Sequence, residues 1–371
     1  MAARMQRFVL PALVDGFPIA AQYFEPNDTK TIVAATLISC ATGIKARFYQ
    51  EFALWLAAQG IAVLTYDYRY NGQSWPDHLL HLVTGPKATK ETRLEAIRSA
   101  PEDLRISTHW ATRDTTAAIR YAANRWPAVP LTLVGHSMGG MIFPYNQPEE
   151  HLVSRYLNVA GGPIWLGDVS DPLGHHSVIM QQIRRYIETD KVFYASRLGL
   201  GGDLPVGVGV HWMEYLIHVR GPQEDAEVAK ATKAISKPYL AIGFQDDWVC
   251  NRPSLDNNMA LLSNASGLNS SLWIDPSIQN PPWPECGHIM SFAPGSSPGS
   301  TVTREDTVWP VFRDWILNGT VLTTAGEYKV WTSDDEYDPW ERSRYVYKWD
   351  ENSPVQERVS LSSNVRIAGR L

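Results

Sequence analysis

The sequence has little cysteine: three residues, Cys40, Cys250 and Cys286, in 371. Three thiols cannot pair completely, and their spacing matches no disulfide framework, which excludes a disulfide-stapled scaffold and points to a reducing compartment. No apolar run reaches the roughly 18 residues of a membrane-spanning helix, so no span is expected. The N-terminal stretch MAARMQRFVLPALVDG has a short apolar segment, but Pro11 and Asp15 break it before it reaches the length of a signal-peptide core. Runs of about five basic residues are lacking as well. Lys and Arg total 33 against 39 Asp and Glu, a formal charge of −6, which argues against nucleic acid as a partner. Internal repeats and low-complexity tracts are also missing. These absences leave a cytoplasmic protein with a large core as the expectation, since 44% of the residues are apolar.

What is present alternates. Residues 8–24 read as strand, turn, strand about Asp15-Gly16. The β-branched run 31–39 reads as a strand buried on both faces. Over 45–59 the period changes, with Phe48, Phe52, Trp55 and Leu56 on one helical face and Gly60 as a stop. Residues 61–66 form another apolar strand, 112–125 a helix and Leu131–Val134 a short strand. Strand–helix alternation predicts an α/β fold with a mostly parallel sheet covered on both faces. Its right-handed crossovers bring the strand C-termini to one ligand-binding edge.

The segment 160–234 breaks this rhythm. Ile179, Ile183, Tyr186 and Ile187 share one helical face, Trp212, Leu216 and Ile217 another, and 198–205 reads as a loop between them. It is read as a helical cap inserted into the core. The expected organisation is therefore core at 1–159, cap at 160–234, core again at 235–319, and a C-terminal extension at 320–371. The pattern resumes at 238–244 and 271–274 and ends in a helix near 306–318. In the extension, Tyr345, Tyr347 and Trp349 alternate, which suggests an amphipathic strand able to cover a sheet edge or a second subunit.

The chemistry concentrates at Gly135-His136-Ser137-Met138-Gly139, directly after the strand at 131–134. A G-x-S-x-G turn between strand and helix lifts a serine hydroxyl above the sheet edge and aims the next N–H, that of Met138, at a developing oxyanion. Ser137 is thus the expected nucleophile. Of the ten histidines, His288 lies in a loop after the late strand and before the last helix, so it is the expected general base. His136 sits inside the elbow with its side chain directed away from the hydroxyl, and no role is assigned to it. For the acid, Gly243-Phe244-Gln245-Asp246-Asp247 offers two carboxylates. Asp246 is expected, and Asp247 is the alternative. Asp275 reads as a turn cap. The second oxyanion donor is expected from the N–H of Thr42 or Gly43, in the loop after the strand at 31–39. The scattered cysteines do not suit a metal site, and none is expected. No cofactor is expected either.

The elbow, the aspartate turn and Gly287-His288 resemble the α/β-hydrolase superfamily over about residues 8–318. Ala41-Thr42-Gly43, Phe48-Tyr49, Tyr66-Asp67-Tyr68-Arg69, Gly72-Gln73-Ser74 and Trp110-Ala111-Thr112-Arg113-Asp114 look like a group of predicted serine hydrolases near the serine aminopeptidase-like and homoserine acetyltransferase-like branches. The segment 75–106 is longer than that group has between this strand and helix, and 320–371 has no counterpart there. The resemblance implies ester or thioester chemistry on a small molecule. Some fungal members with such tails accompany biosynthetic gene sets, an association with secondary metabolism. Two rivals share the sequence: an acyltransferase or cyclase using the same triad, and a non-catalytic binding protein on this fold. A homo-oligomer formed through the extension is a further expectation.

Overall fold

The computed structural model describes residues 3–164, 175–217, 225–262 and 268–335, with the pairs 346–347 and 358–359. In chain order come β1 (Ala3–Pro11), β2 (Pro18–Pro26), β3 (Ala34–Ser39), α1 (Gln50–Ala57), β4 (Ile61–Tyr66), α2 (Asp77–Val83) and α3 (Lys90–Arg98). A π-helical stretch (Ile106–Thr115) leads into α4 (Thr116–Arg125), followed by β5 (Leu131–His136), α5 (Met138–Met141) and β6 (Arg155–Val159). The insertion holds α6 (His175–Asp190), β7 (Val192–Phe193), β8 (Leu204–Pro205), α7 (Val206–Ile217) and α8 (Ala226–Lys233). The core then resumes with β9 (Tyr239–Phe244), α9 (Arg252–Leu262), β10 (Asn269–Ile274), α10 (Val308–Asn318) and β11 (Glu327–Trp331).

The strands form one nine-stranded sheet in the order β1-β2-β4-β3-β5-β6-β9-β10-β11. From β4 to β10 every pairing is parallel. The hairpin β1-β2 and the last strand β11 close the two ends antiparallel. β3, β4, β5 and β9 are buried at every position, which is why they read as unbroken apolar runs rather than alternating ones. Helices cover both faces. α1 and α10 meet through Phe52, whose ring lies 5.2 Å from Trp309 and 5.9 Å from Phe312 in edge-on geometry. Gly319 takes φ +67° just past α10 and ends it with a left-handed cap.

Three parts of the architecture differ from the reading of the sequence. The short strand β6 was missed, because RYLNV carries a polar Asn158 in a buried row. The long segment between β4 and the helix before the elbow folds as α2 and α3. The segment read as an extension supplies β11, which pairs with β10 from Asn269↔Trp331 to Trp273↔Glu327. Residues 327–331 therefore cover β10 and form the edge of the sheet themselves. Of the alternating aromatics, Tyr345 and Trp349 lie outside the described residues, while Tyr347 belongs to a two-residue strand paired with 358–359.

Candidate active site

β5 delivers Ser137 at φ 54°, ψ −120°, a conformation that costs a side-chain-bearing residue energy and needs support from its surroundings. The Ser137 N–H donates to the Val159 carbonyl at 2.8 Å. The turn is packed so tightly that a Cβ on Gly135 would lie 2.4 Å from Gly140 Cα, and one on Gly139 would lie 2.1 Å from the Ser39 carbonyl oxygen. Only glycine fits at either position. With the backbone so held, the Ser137 hydroxyl stands 2.8 Å from His288 Nε2. His288 comes from the loop between β10 and α10 and is buried.

The carboxylate that meets His288 is Asp247, not the expected Asp246. His288 Nδ1 lies 3.0 and 3.2 Å from the two Asp247 oxygens. The Asp247 carboxylate is fully buried and also accepts from the Val249 and Cys250 N–H groups at 2.7 and 3.0 Å. Asp246 is exposed and accepts instead from the Cys286 N–H at 2.9 Å. The reason is local. The Asp247 N–H bonds back to the Phe244 carbonyl at 3.1 Å, closing a turn at the end of β9. That turn directs residue 247 to the sheet edge and residue 246 outward. Asp246 steadies the histidine loop from outside; Asp247 holds the imidazole.

Met138 and Thr42 line a cavity together with Ser137 and His288. The Thr42 hydroxyl is buried and has no hydrogen-bond partner among the described residues. Gly43 turns toward the insertion: its carbonyl accepts from the Gly202 N–H at 2.8 Å, and a Cβ there would lie 2.7 Å from the Leu200 and Gly202 oxygens. The loop 40–46 is braced by the segment after β4. Tyr68 Oη donates to the Cys40 carbonyl at 3.2 Å, Asn71 Nδ2 to the Ile44 carbonyl at 3.1 Å, and Asp67 Oδ1 accepts from the Ala46 N–H at 2.7 Å. Burial raises the Asp67 carboxyl above its ordinary value, opposed by its backbone hydrogen bonds. In the sequence these bracing residues carry no signal beyond their part in the resemblance. Arg69 beside them bridges Asp114 and Asp15, tying the π-helical stretch to the β1-β2 turn.

Ile164, Leu200 and Trp212 from the insertion, with Met141, Val249 and Ile289 from the core, wall the cavity over Ser137. Its free volume is about 10 Å³, which is about what one water needs. Cys250 also lines it, and Asp247, Cys250 and His288 bring potential metal-ligand atoms within 4.8 Å of one another. Those atoms are already engaged: His288 Nδ1 faces Asp247, and burial keeps the Cys250 thiol well above its ordinary pKa, hence protonated. Cys40 and Cys286 are buried free thiols. Asp275 accepts from the Ser277 N–H and caps a short turn. Among the described residues no helix is long and apolar enough to cross a membrane.

Comparison with known proteins bears on the fold. Residues 34–145, from β3 through the elbow, match the serine aminopeptidase S33 family model. No curated protein matches the sequence. Among solved structures, a soluble variant of monoglyceride lipase from Saccharomyces cerevisiae is 16% identical, covering 86% of this chain and 97% of its own, with a TM-score of 0.55. A thioesterase domain from the curacin biosynthetic pathway is 14% identical over 85% of this chain and 100% of its own, at TM-score 0.46. An esterase domain from Rhodothermus marinus is 15% identical over 84% and 97%, at 0.47. The parallel sheet with its two antiparallel ends, the strained serine at the end of β5 and the likeness to the lipase structure show that this chain has the α/β-hydrolase fold, with a segment similar to the serine aminopeptidase S33 family over residues 34–145.

Proposed function

We propose that the chain is a serine hydrolase that cleaves a carboxylic ester or thioester of a hydrophobic small molecule through an acyl-enzyme on Ser137. The observation that carries this reading is the unbroken hydrogen-bonded chain from Ser137 Oγ through His288 to Asp247. Ser137 Oγ attacks the carbonyl carbon as its proton passes to His288 Nε2. Asp247, acceptor to Nδ1, holds the reactive tautomer and stabilises the imidazolium. The negative oxygen is received by the Met138 and Thr42 N–H groups. On collapse, the bond to the alcohol or thiol breaks and Nε2 returns the proton to it. Water then attacks the acyl carbon by the same route and frees the acid and Ser137. The apolar wall of Ile164, Leu200 and Trp212 suits a hydrophobic acyl group.

Labelling with a fluorophosphonate tests this. Wild type is expected to be labelled and to turn over aryl esters or thioesters, and Ser137→Ala to do neither. Equal labelling of the two proteins refutes it. Acyl transfer would use the same triad, with an alcohol, thiol or amine in place of water as the second nucleophile. Product analysis with an added alcohol, thiol or amine acceptor separates the two outcomes, and free acid as the only product rejects transfer.

A further inference from the structure

The residue before the nucleophile, His136, is buried in full and takes no part in the triad, yet both of its ring nitrogens are engaged. Nδ1 lies 2.8 Å from the hydroxyl of Tyr49, which is buried as well. Nε2 lies 2.6 Å from the backbone carbonyl of His288. The same Tyr49 oxygen accepts the Ala41 N–H at 3.0 Å. One continuous path thus runs from the oxyanion loop, through Tyr49 and His136, to the backbone of the base.

The proton positions along this path follow from what each group can donate. The His288 carbonyl only accepts, so the proton on His136 must sit on Nε2. Nδ1 is then an acceptor, and the Tyr49 O–H points to it. The Tyr49 lone pair is left for the Ala41 N–H, which only donates. Every donor has one acceptor, and the reversed tautomer would set a lone pair of Nε2 against the carbonyl oxygen. A cationic His136 would leave the Tyr49 proton without a partner. The charged form is also opposed by burial and by the neighbouring His288, which together push the His136 pKa down to about 3. Phe292 packs against both members, its ring 5.2 Å from Tyr49 and 4.9 Å from His136, which keeps water from the path.

We propose that Tyr49 and His136 are positioning residues that lock the oxyanion loop and the catalytic histidine into one rigid unit, so that the donor at Thr42 and Nε2 of His288 keep a fixed separation across Ser137. This rests on the serine-hydrolase reading, and the two are tested apart. The Ala41 link sets the residue directly before Thr42; the carbonyl link sets the backbone of His288 itself. An error at either end moves the oxyanion donor relative to the base. That penalises the transition state, where both act together, more than the bound substrate, where neither is fully engaged.

The experiment uses the full chain, a p-nitrophenyl ester and a fluorophosphonate. Tyr49→Phe removes only the hydroxyl. Its kcat is expected to fall about tenfold with KM within about twofold, since loss of one buried hydrogen bond is of that size in the barrier. His136→Gln, whose amide can still donate to the His288 carbonyl, should retain more kcat than His136→Ala. In Tyr49→Phe/His136→Ala the loss should be smaller than the product of the two single losses, because both substitutions break the same path. Independent of turnover, ¹⁵N NMR of the His136 ring should show the Nε2–H tautomer, neutral from pH 5 to 8. An Nδ1–H tautomer, or a Tyr49→Phe kcat within twofold of wild type, overturns the proposal. Additive losses in the double variant overturn it too. Failure of wild type to react with the fluorophosphonate would instead strike the hydrolase reading, and the NMR result would still decide the relay.

Discussion

Asparagine at position 247 is the sharpest test of the site, because the structure dictates how the new amide must sit. Asp247 Oδ1 accepts from both the Val249 and Cys250 N–H groups. In Asp247→Asn the carbonyl oxygen has to remain there, since an NH₂ group would oppose two donors. The amide NH₂ then takes the place of Oδ2 and points at His288 Nδ1, now 3.0 Å from that oxygen. A donor facing Nδ1 forces the imidazole proton onto Nε2, where it faces Ser137 and cannot accept the serine proton. The fold should survive, since every other hydrogen bond is kept. From the serine-protease counterpart of this change, kcat is expected to fall about 10⁴-fold, equivalent to roughly 5 kcal/mol in the barrier. Asp246→Asn keeps an acceptor for the Cys286 N–H and should lower kcat by less than about fivefold, because peripheral groups in such sites act only through geometry. The assay is steady-state hydrolysis of a p-nitrophenyl ester, with fluorophosphonate labelling rates as a second measure. Loss of activity in Asp246→Asn together with near-normal activity in Asp247→Asn would refute the assignment.

Thr42→Val keeps the backbone donor and deletes the unpartnered buried hydroxyl. Stability should hold or rise, since a buried group without a partner is removed. If the hydroxyl contributes to the oxyanion site, kcat should drop at least about tenfold, and an unchanged kcat removes it from the chemistry. Trp212→Ala should widen the cavity. The ratio of kcat/KM for a decanoyl over an acetyl ester is expected to rise about tenfold, at a stability cost of roughly 3 kcal/mol, with an unchanged ratio showing that Trp212 does not limit the acyl group. Burial lowers His136 from an ordinary value of 6.5 to about 3. Between those limits the unfolded chain holds a proton that the native chain does not, so native stability falls as pH drops below 6.5. The contribution of one such group is about 1.4 kcal/mol per pH unit. His211 on α7, lowered to about 4 by burial, adds to it over a narrower range. Denaturant titrations of His136→Gln at pH 5 and 7 should show a shallower slope than wild type, and equal slopes would refute this.

The parts of the molecule legible in the sequence are those where one physical rule acts alone. β4, at 61–66, has the limits read from its apolar run because both its faces are buried. The elbow is readable because the close approaches at Gly135 and Gly139 admit one residue type. The choice between Asp246 and Asp247 was not readable. Two adjacent carboxylates leave a strand on opposite sides, and a single turn hydrogen bond, Asp247 N–H to Phe244, decides which faces inward. β11 was hidden for a related reason: as an exposed edge strand, its side chains are set by pairing with β10 rather than by an apolar pattern. His136 carries no signature at all, since its partners come from residues 49 and 288. Its position beside Ser137 is visible in the sequence; its connections bring together three separate segments of the chain.

The Gly202 N–H donates to the carbonyl of Gly43, and Leu200 at the head of that loop walls the cavity. One hydrogen bond therefore joins a wall of the cavity to the loop that carries Thr42. Any displacement of the 199–203 loop breaks that bond and frees Gly43, the residue next to Thr42.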